Sequence, residues 1–451
     1  MTTQGSVGIK RKLSMAGALA FGLSYMAPGV VLSIFGAIAA TSGGAAPTAF
    51  AIAAISLTFT ALSYAKLARI IPSSGSAYTY ARRLLDSRIG FLVGWAILLD
   101  YLFLPSLAWL FMGTFFHAQF SVLPVWAWLL ITAAATTAIN VLGVVLADWV
   151  NRLLLAVAIL MVVLFSIWCT RYAFQHGDPS FSAPWWNSTT SFSHVTSAAA
   201  VAAYAFLGFE AISTLSGETR EPERSIPRAI VLAVSLGGVF FVVVSYIVQL
   251  AVPGADHGEA AYYDIARLIG GRDFANIINT MYIVGGFASC MAIQSATARL
   301  LFVMGRDGVF PRKVFGNFNR RFRTPVFNLI LVGLTSLISL WSTIEQAASF
   351  INFGALLAYA SVNLCVIAYY MRNRRHRRLS ILGFVVLPSL GVLVCLYLVT
   401  LLDARAIWIG VGWLAVGIVY LTVLTRGFTR EPPEMQISDR EPTPADSVPQ
   451  T

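Results

Sequence analysis

Charge is scarce in this chain. Of its 451 residues, 11% are Asp, Glu, Lys or Arg and 57% are hydrophobic, whereas a soluble domain carries about a quarter charged residues. The few charges collect in short clusters between long clean stretches. That excludes a soluble core with charges spaced along its surface helices. Cysteine is rare too. Cys169, Cys290, Cys365 and Cys395 lie within or at the end of apolar runs, without metal-ligand spacing, and read as buried thiols. The five histidines, at 117, 176, 194, 257 and 376, fall at predicted loop or helix ends. There is no HExxH, no P-loop and no GxSxG, so nothing points to an enzyme, a metal or a cofactor. The glycine-rich GRDGVF at 305–310 lacks the strand–helix context of a phosphate site.

What is present is a succession of apolar runs, each near the roughly 20 residues a bilayer crossing needs. About twelve helices are expected, at 13–40, 47–71, 89–117, 123–146, 151–173, 195–216, 227–251, 274–302, 325–344, 347–371, 380–402 and 405–425. The first run is too long for a signal peptide and is kept as helix 1, despite the small residues at Ala37-Ile38-Ala39. The second part of the inner loop 72–88 has the pattern of an amphipathic surface helix. Segment 1–12 is basic, and the tail 426–451 is rich in Pro, Glu, Asp and Ser, a composition of disorder.

The net charge of +11 is not a nucleic-acid signal. With loops assigned to alternating sides, only Arg171, Arg267, Arg272 and Arg405 of the 31 Lys and Arg fall on outer segments. This positive-inside asymmetry places both termini in the cytoplasm of a multi-pass membrane protein.

Helix 1 is interrupted. Its centre, GLSYMAPGVVLSIFG at 22–36, holds Pro28 and Gly29. Proline has no amide hydrogen and clashes with the carbonyl four residues back. A spanning helix broken at mid-depth is tolerated only where its backbone is buried in protein or lines a wet cavity. A simple proline kink between packed helices is the alternative. Helix 6 carries a second interruption at Gly208, followed by Glu210. If the first ten helices form two units of five, helices 1 and 6 correspond and the units cross in opposite senses. Paired breaks of this kind mark midplane sites in inverted-repeat transporters.

Two carboxylates lie inside predicted spans, Asp100 and Glu210. Such residues cost a few kcal/mol or more in a membrane and face a cavity or a partner. Asp100 also reads as a helix-packing group beside Tyr101 and Pro105. Tyr25, Tyr101, Trp109, Tyr204, Phe206 and Phe209 are the aromatics near the breaks, and aromatic faces attract ammonium groups.

The segments GLSYMAP (22–28), FTALSYAKLARIIPSSGSAYTYA (59–81), GFLVGWAILLDYLFLP (90–105), FLGFEAISTLSGET (206–219), SIPRAI (225–230), RLLFVMGRDGVFP (299–311), RTPVFN (323–328) and INFGALLAY (351–359) resemble the amino acid–polyamine–organocation superfamily. Within it they resemble the bacterial putrescine-importer type. The resemblance implies an all-α membrane protein with a 5+5 inverted repeat over 13–371, two additional helices over 380–425, and helices 1 and 6 broken. It implies secondary transport into the cell through the bacterial inner membrane, driven by protons, with no cofactor. The partners would be a small amine or amino acid, protons and the lipid bilayer. The matching positions are Tyr25, Ala27 and Pro28 on helix 1, Asp100 and Tyr101 on helix 3, and Phe206, Gly208, Phe209 and Glu210 on helix 6. Substrate contacts are expected from Tyr25, Met26, Ala27, Pro28, Gly29, Tyr101, Phe206, Gly208, Phe209 and Glu210, and proton coupling from Glu210 and Asp100.

The chain departs from the pattern at several places. Amino-acid members usually break helix 1 with Gly-Ser-Gly, whose amides hold a carboxylate; here Ser24-Tyr25-Met26-Ala27 stands there, which favours an amine. Ser33 replaces an acidic residue of the putrescine importers, Gly217-Glu218 a pair of acids, and Glu210 an aspartate. Recognition then extends to a monoamine or a differently spaced diamine. Helix 5 lacks the lysine of some proton-coupled relatives. An amino-acid permease or exchanger, with substrate carboxylates on the amides of 26–29, and a transporter-like sensor are the rival readings.

Overall fold

The computed structural model describes residues 13–433 except 72–76, 144–147, 177–178, 218, 255–257, 259, 318, 320–321, 323 and 376–377. The expected cytoplasmic segment 1–12, Glu218 and the tail beyond 433 lie outside the described residues. Among those described, ten helices are long and apolar enough to cross a membrane, and two shorter apolar ones are Val125–Val141 and Val326–Trp341. Described strands are absent; there are only isolated bridges at Leu13–Thr219 and Asn319–Thr324.

The first run divides into α1 (Met15–Tyr25), α2 (Val30–Ser33) and α3 (Phe35–Ser42). Then come α4 (Ala46–Ile70), the short α5 (Ala77–Leu84), α6 (Ser87–Gln119), α7 (Val125–Val141) and α8 (Asp148–Gln175). Helix α9 (Phe192–Ala202) passes into 3₁₀ turns at Ala203–Phe206 and Glu210–Gly217. Next follow α10 (Pro222–Ala251), α11 (Ala261–Arg306), α12 (Arg312–Phe315), α13 (Val326–Thr335, ending in 3₁₀ turns), α14 (Ile344–Asn373), α15 (Leu387–Thr400) and α16 (Ala404–Leu424).

Side-chain caps mark several helix starts. Ser14, Asp86, Ser191 and Asp403 accept from first-turn amides, and Thr343 with Gln346 forms a capping box on α14. The segment expected as an outer loop up to 273 carries a short helix of its own from Ala261, which ends at Gly271 (φ 79°, ψ −179°); the spanning part of α11 starts just beyond it, close to the expected 274.

Helix α4 lies along α10; α6 packs on α11, α7 and α14; α13 packs on α7; and α1 packs on α10 and on the 3₁₀ turn 210–217. Trp95 and Trp413 join α6 to α16, each indole donating to the other's carbonyl at 2.9 and 2.8 Å with stacked rings. The outward faces of α8, α10, α15 and α16 expose Ile159, Val163, Ile167, Val239, Leu393, Val419 and Val423. Large apolar side chains exposed along several helices suit lipid and not water. The tail expected to be disordered from Arg426 is folded over 426–433. Arg88 donates to the Phe428 carbonyl at 2.8 Å and lies over that ring, and Arg82 donates to the Pro432 carbonyl at 3.1 Å.

Candidate functional site

Helix α1 stops at Tyr25 because Pro28 offers no donor and Ala27 sits at φ 47°. That left-handed conformation costs an L-residue roughly 1–2 kcal/mol. A methyl side chain keeps the cost small, and the helix restarts at Val30. In the second interruption, Gly208 sits at φ 113°, a conformation natural only to glycine. A Cβ there would stand 2.3 Å from the Tyr25 ring. The two breaks therefore meet, backbone against ring.

Glu210 follows this contact. Its Oε2 accepts from the Gly208 amide and from the Tyr359 hydroxyl of α14, both at 2.9 Å. Asp100 approaches from α6, more than nine-tenths buried, with Oδ1 lacking a hydrogen-bond partner. The two acids lie within electrostatic reach of each other and of Tyr25, and Tyr101 is within the same reach of Tyr25. Pro105 leaves the Tyr101 carbonyl without its helical donor, and Thr297 of α11 supplies one at 2.9 Å.

Aromatic rings close the surroundings. Phe209 and Tyr359 stand 5.2 Å apart, and Tyr64 of α4 meets both edge-on at 5.7 and 6.1 Å. Gly29 of the first break lies near Met161 and Tyr282, and Ser33 bonds the Tyr282 hydroxyl at 2.6 Å. Tyr204 faces Phe111, with electrostatic reach to Asp100 and Tyr282.

The structure thus brings Tyr25, Asp100, Tyr101, Gly208, Phe209 and Glu210 together, with Ala27 and Pro28 in the adjoining break. Met26 and Phe206 turn elsewhere. The Met26 methyl fills the space over Gly237, and Phe206 stands edge-on to Phe241 at 5.3 Å, both on α10. Trp109 is a strut between α6 and α7, donating to Thr136 at 3.0 Å. Tyr359, Tyr64, Tyr282 and Thr297 were not singled out in the sequence. Tyrosines are common in apolar runs, and nothing local marks these.

Among the described residues, ion pairs occur only at Arg82–Glu431, Arg224–Glu221 and Arg306–Asp307. Neither buried acid has a cationic side-chain partner there, and no group of three or more His, Cys, Asp and Glu gathers among them to hold a metal. Charges withdrawn from water need a counter-charge or hydrogen bonds. The site has two acids, hydroxyls and rings, and what it lacks is a positive charge.

The chain matches the amino acid permease family profile over residues 13–424. It is 34% identical over 441 residues to the low-affinity putrescine importer PlaP of Escherichia coli (strain K12), covering 95% of this chain and 97% of that one. It is 26% identical over 453 residues to the branched-chain amino acid permease BcaP of Bacillus subtilis (strain 168), at 94% and 95% coverage. A methylthioribose transporter of the same organism is 27% identical over 439 residues, at 90% and 93%.

Proposed function

The chain belongs to the amino acid permease family, and we propose that it is a proton-coupled secondary transporter that imports a small organic amine or polyamine across the bacterial inner membrane. The observation that carries this reading is the pair Asp100 and Glu210 at the meeting point of two broken helices, without a basic side chain beside them. An ammonium supplies the missing charge, and a proton supplies it when the substrate has left. Glu210 holds the ammonium, Asp100 assists or carries the proton, and Tyr25, Tyr101, Phe209 and Tyr359 enclose it through ring faces and hydroxyls. The resemblance to a putrescine importer supports the substrate class.

Twelve spans in a 5+5 inverted repeat with two added helices, and both termini cytoplasmic, complete the proposal. In its favour, α4 packs on α10, α6 on α11 and α7 on α13; these are the matching members of the two units. An amino-acid permease is the second reading, favoured by the likeness to a branched-chain permease.

Proteoliposome uptake of labelled putrescine and of labelled neutral amino acids, with and without an imposed pH gradient, separates the two. Gradient-dependent, saturable putrescine uptake is expected. Saturable amino-acid uptake without amine uptake rejects the substrate class.

A further inference from the structure

Helix α9 ends at Ala202, just before the 3₁₀ turns that lead to Gly208. The last four carbonyls of a helix have no α-helical donor of their own. Two of these, at Ala200 and Val201, share one side chain. Asn352 of α14 donates its Nδ2 to both, at 2.8 and 3.3 Å. The pair of carbonyls fixes the orientation of that amide, since an oxygen in the nitrogen's place would face two acceptors. The Asn352 Oδ1 is left buried without a hydrogen-bond partner. At a position only 1% exposed, an unmatched oxygen is costly, and a side chain kept for packing alone would be apolar. What accounts for an asparagine here is the two carbonyls it holds.

Two turns further along the same face of α14, Tyr359 donates to the Glu210 carboxylate at 2.9 Å. One helix thus contacts the broken span on both sides of Gly208. Across the break the span cannot hold its own register, because Leu207 is extended at ψ 134° and Gly208 sits at φ 113°. The same helix lies hard against the stretch of α6 that carries Asp100. A Cβ at Gly354 would stand 2.4 Å from the Ala96 carbonyl oxygen and 3.4 Å from the Asp100 amide nitrogen.

We propose that α14 is a splint across this break, and that Asn352 is a positioning residue that holds the 200–201 side so that Glu210 keeps a fixed place relative to Asp100. This deepens, and rests on, the reading of the two acids as the cation site. Asn352 acts through backbone carbonyls. Without its two donors the segment before Gly208 loses its anchor, and the Gly208 amide that bonds Glu210 at 2.9 Å shifts with it.

The test uses the full-length reconstituted chain. Asn352→Leu keeps nearly the same size and removes both donors. Amide hydrogen exchange over 203–210 is expected to speed up at least about tenfold, with α13 unchanged, because local opening follows local bonds. Unchanged exchange over 203–210, or equal acceleration in both segments, overturns the splint whatever the substrate. The KM for putrescine uptake is expected to rise at least about tenfold, while the maximal rate per folded molecule changes less than about threefold. A lower maximal rate at unchanged KM marks Asn352 as a packing group and overturns its positioning role. Asn352→Ala removes the donors without adding apolar bulk and gives the same two readings if the leucine variant fails to fold. A wild type that takes up no amine rejects the substrate class, and hydrogen exchange still decides the splint.

Discussion

Between α7, α11 and α13, Asn140, Gln294 and Thr137 form a closed chain of hydrogen bonds. Asn140 donates to Gln294 at 2.9 Å and to the Met291 carbonyl at 3.1 Å; Gln294 donates to Thr137 at 2.6 Å and to the Leu329 carbonyl at 3.1 Å. Neither amide has an unmatched buried atom. Between the two helix breaks, by contrast, Asp100 keeps an unmatched oxygen and Glu210 has only neutral donors. Both clusters are polar and interior, but their chemistry differs. A network completed by the protein rigidifies and specifies packing. A cluster of two acids without a base is where the proposed function seats an incoming cation. What separates these two clusters is the pair of acids without a base beside them among the described residues.

The largest test of this contrast is Glu210→Gln. It keeps the shape and removes the charge, so putrescine uptake is expected to fall about 100-fold, since hydrogen bonds to charged groups contribute about 1.5–3 kcal/mol and one bound ammonium makes several. The pH dependence of the remaining uptake is expected to flatten. Unchanged uptake with unchanged pH dependence removes Glu210 from the mechanism.

Gly208→Ala probes the geometry that presents this charge. The added methyl meets the Tyr25 ring and sits at φ 113°, a strain of about 1–3 kcal/mol. Uptake is expected to drop by about tenfold or more on the same scale. Full activity, measured as initial rate per correctly folded molecule, means the two breaks do not need their contact.

The smallest effect on transport is expected from Gln294→Leu in the completed network. It strands Asn140 and Thr137 at a cost of about 1–3 kcal/mol, read as a lower melting temperature of the purified protein. Uptake per folded molecule is expected to stay within about twofold, because the change affects the scaffold without touching a transition between states. A selective loss of uptake without loss of stability would erase the distinction drawn between the clusters.

Much of the site was legible because a membrane interior makes polar residues conspicuous. Pro28 beside Gly29 and Gly208 just before Glu210 stand out in clean apolar runs, as does Asp100. What was not legible was direction. Met26 and Phe206 sit in the breaks yet pack on α10, because a broken helix no longer has a fixed periodicity from which to read faces. Tyr359 lies 149 positions from Glu210, and Thr297 lies 196 from the carbonyl that Pro105 orphans. No local pattern anticipates such pairings.

Composition and the placement of basic residues determined by themselves that this chain lives in a bilayer as a bundle of helices, because unpaired backbone and scattered charge are both prohibitive there. Local chemistry likewise determined where two of those helices must stop, since proline lacks a donor and glycine tolerates conformations other residues avoid. Only the packed bundle decided that the two interruptions touch, that two acids share one neighbourhood without a base, and that a distant tyrosine holds one of them. Those are consequences of which helix faces which, and hydrophobic faces pack on many partners with similar energy until the whole set is assembled.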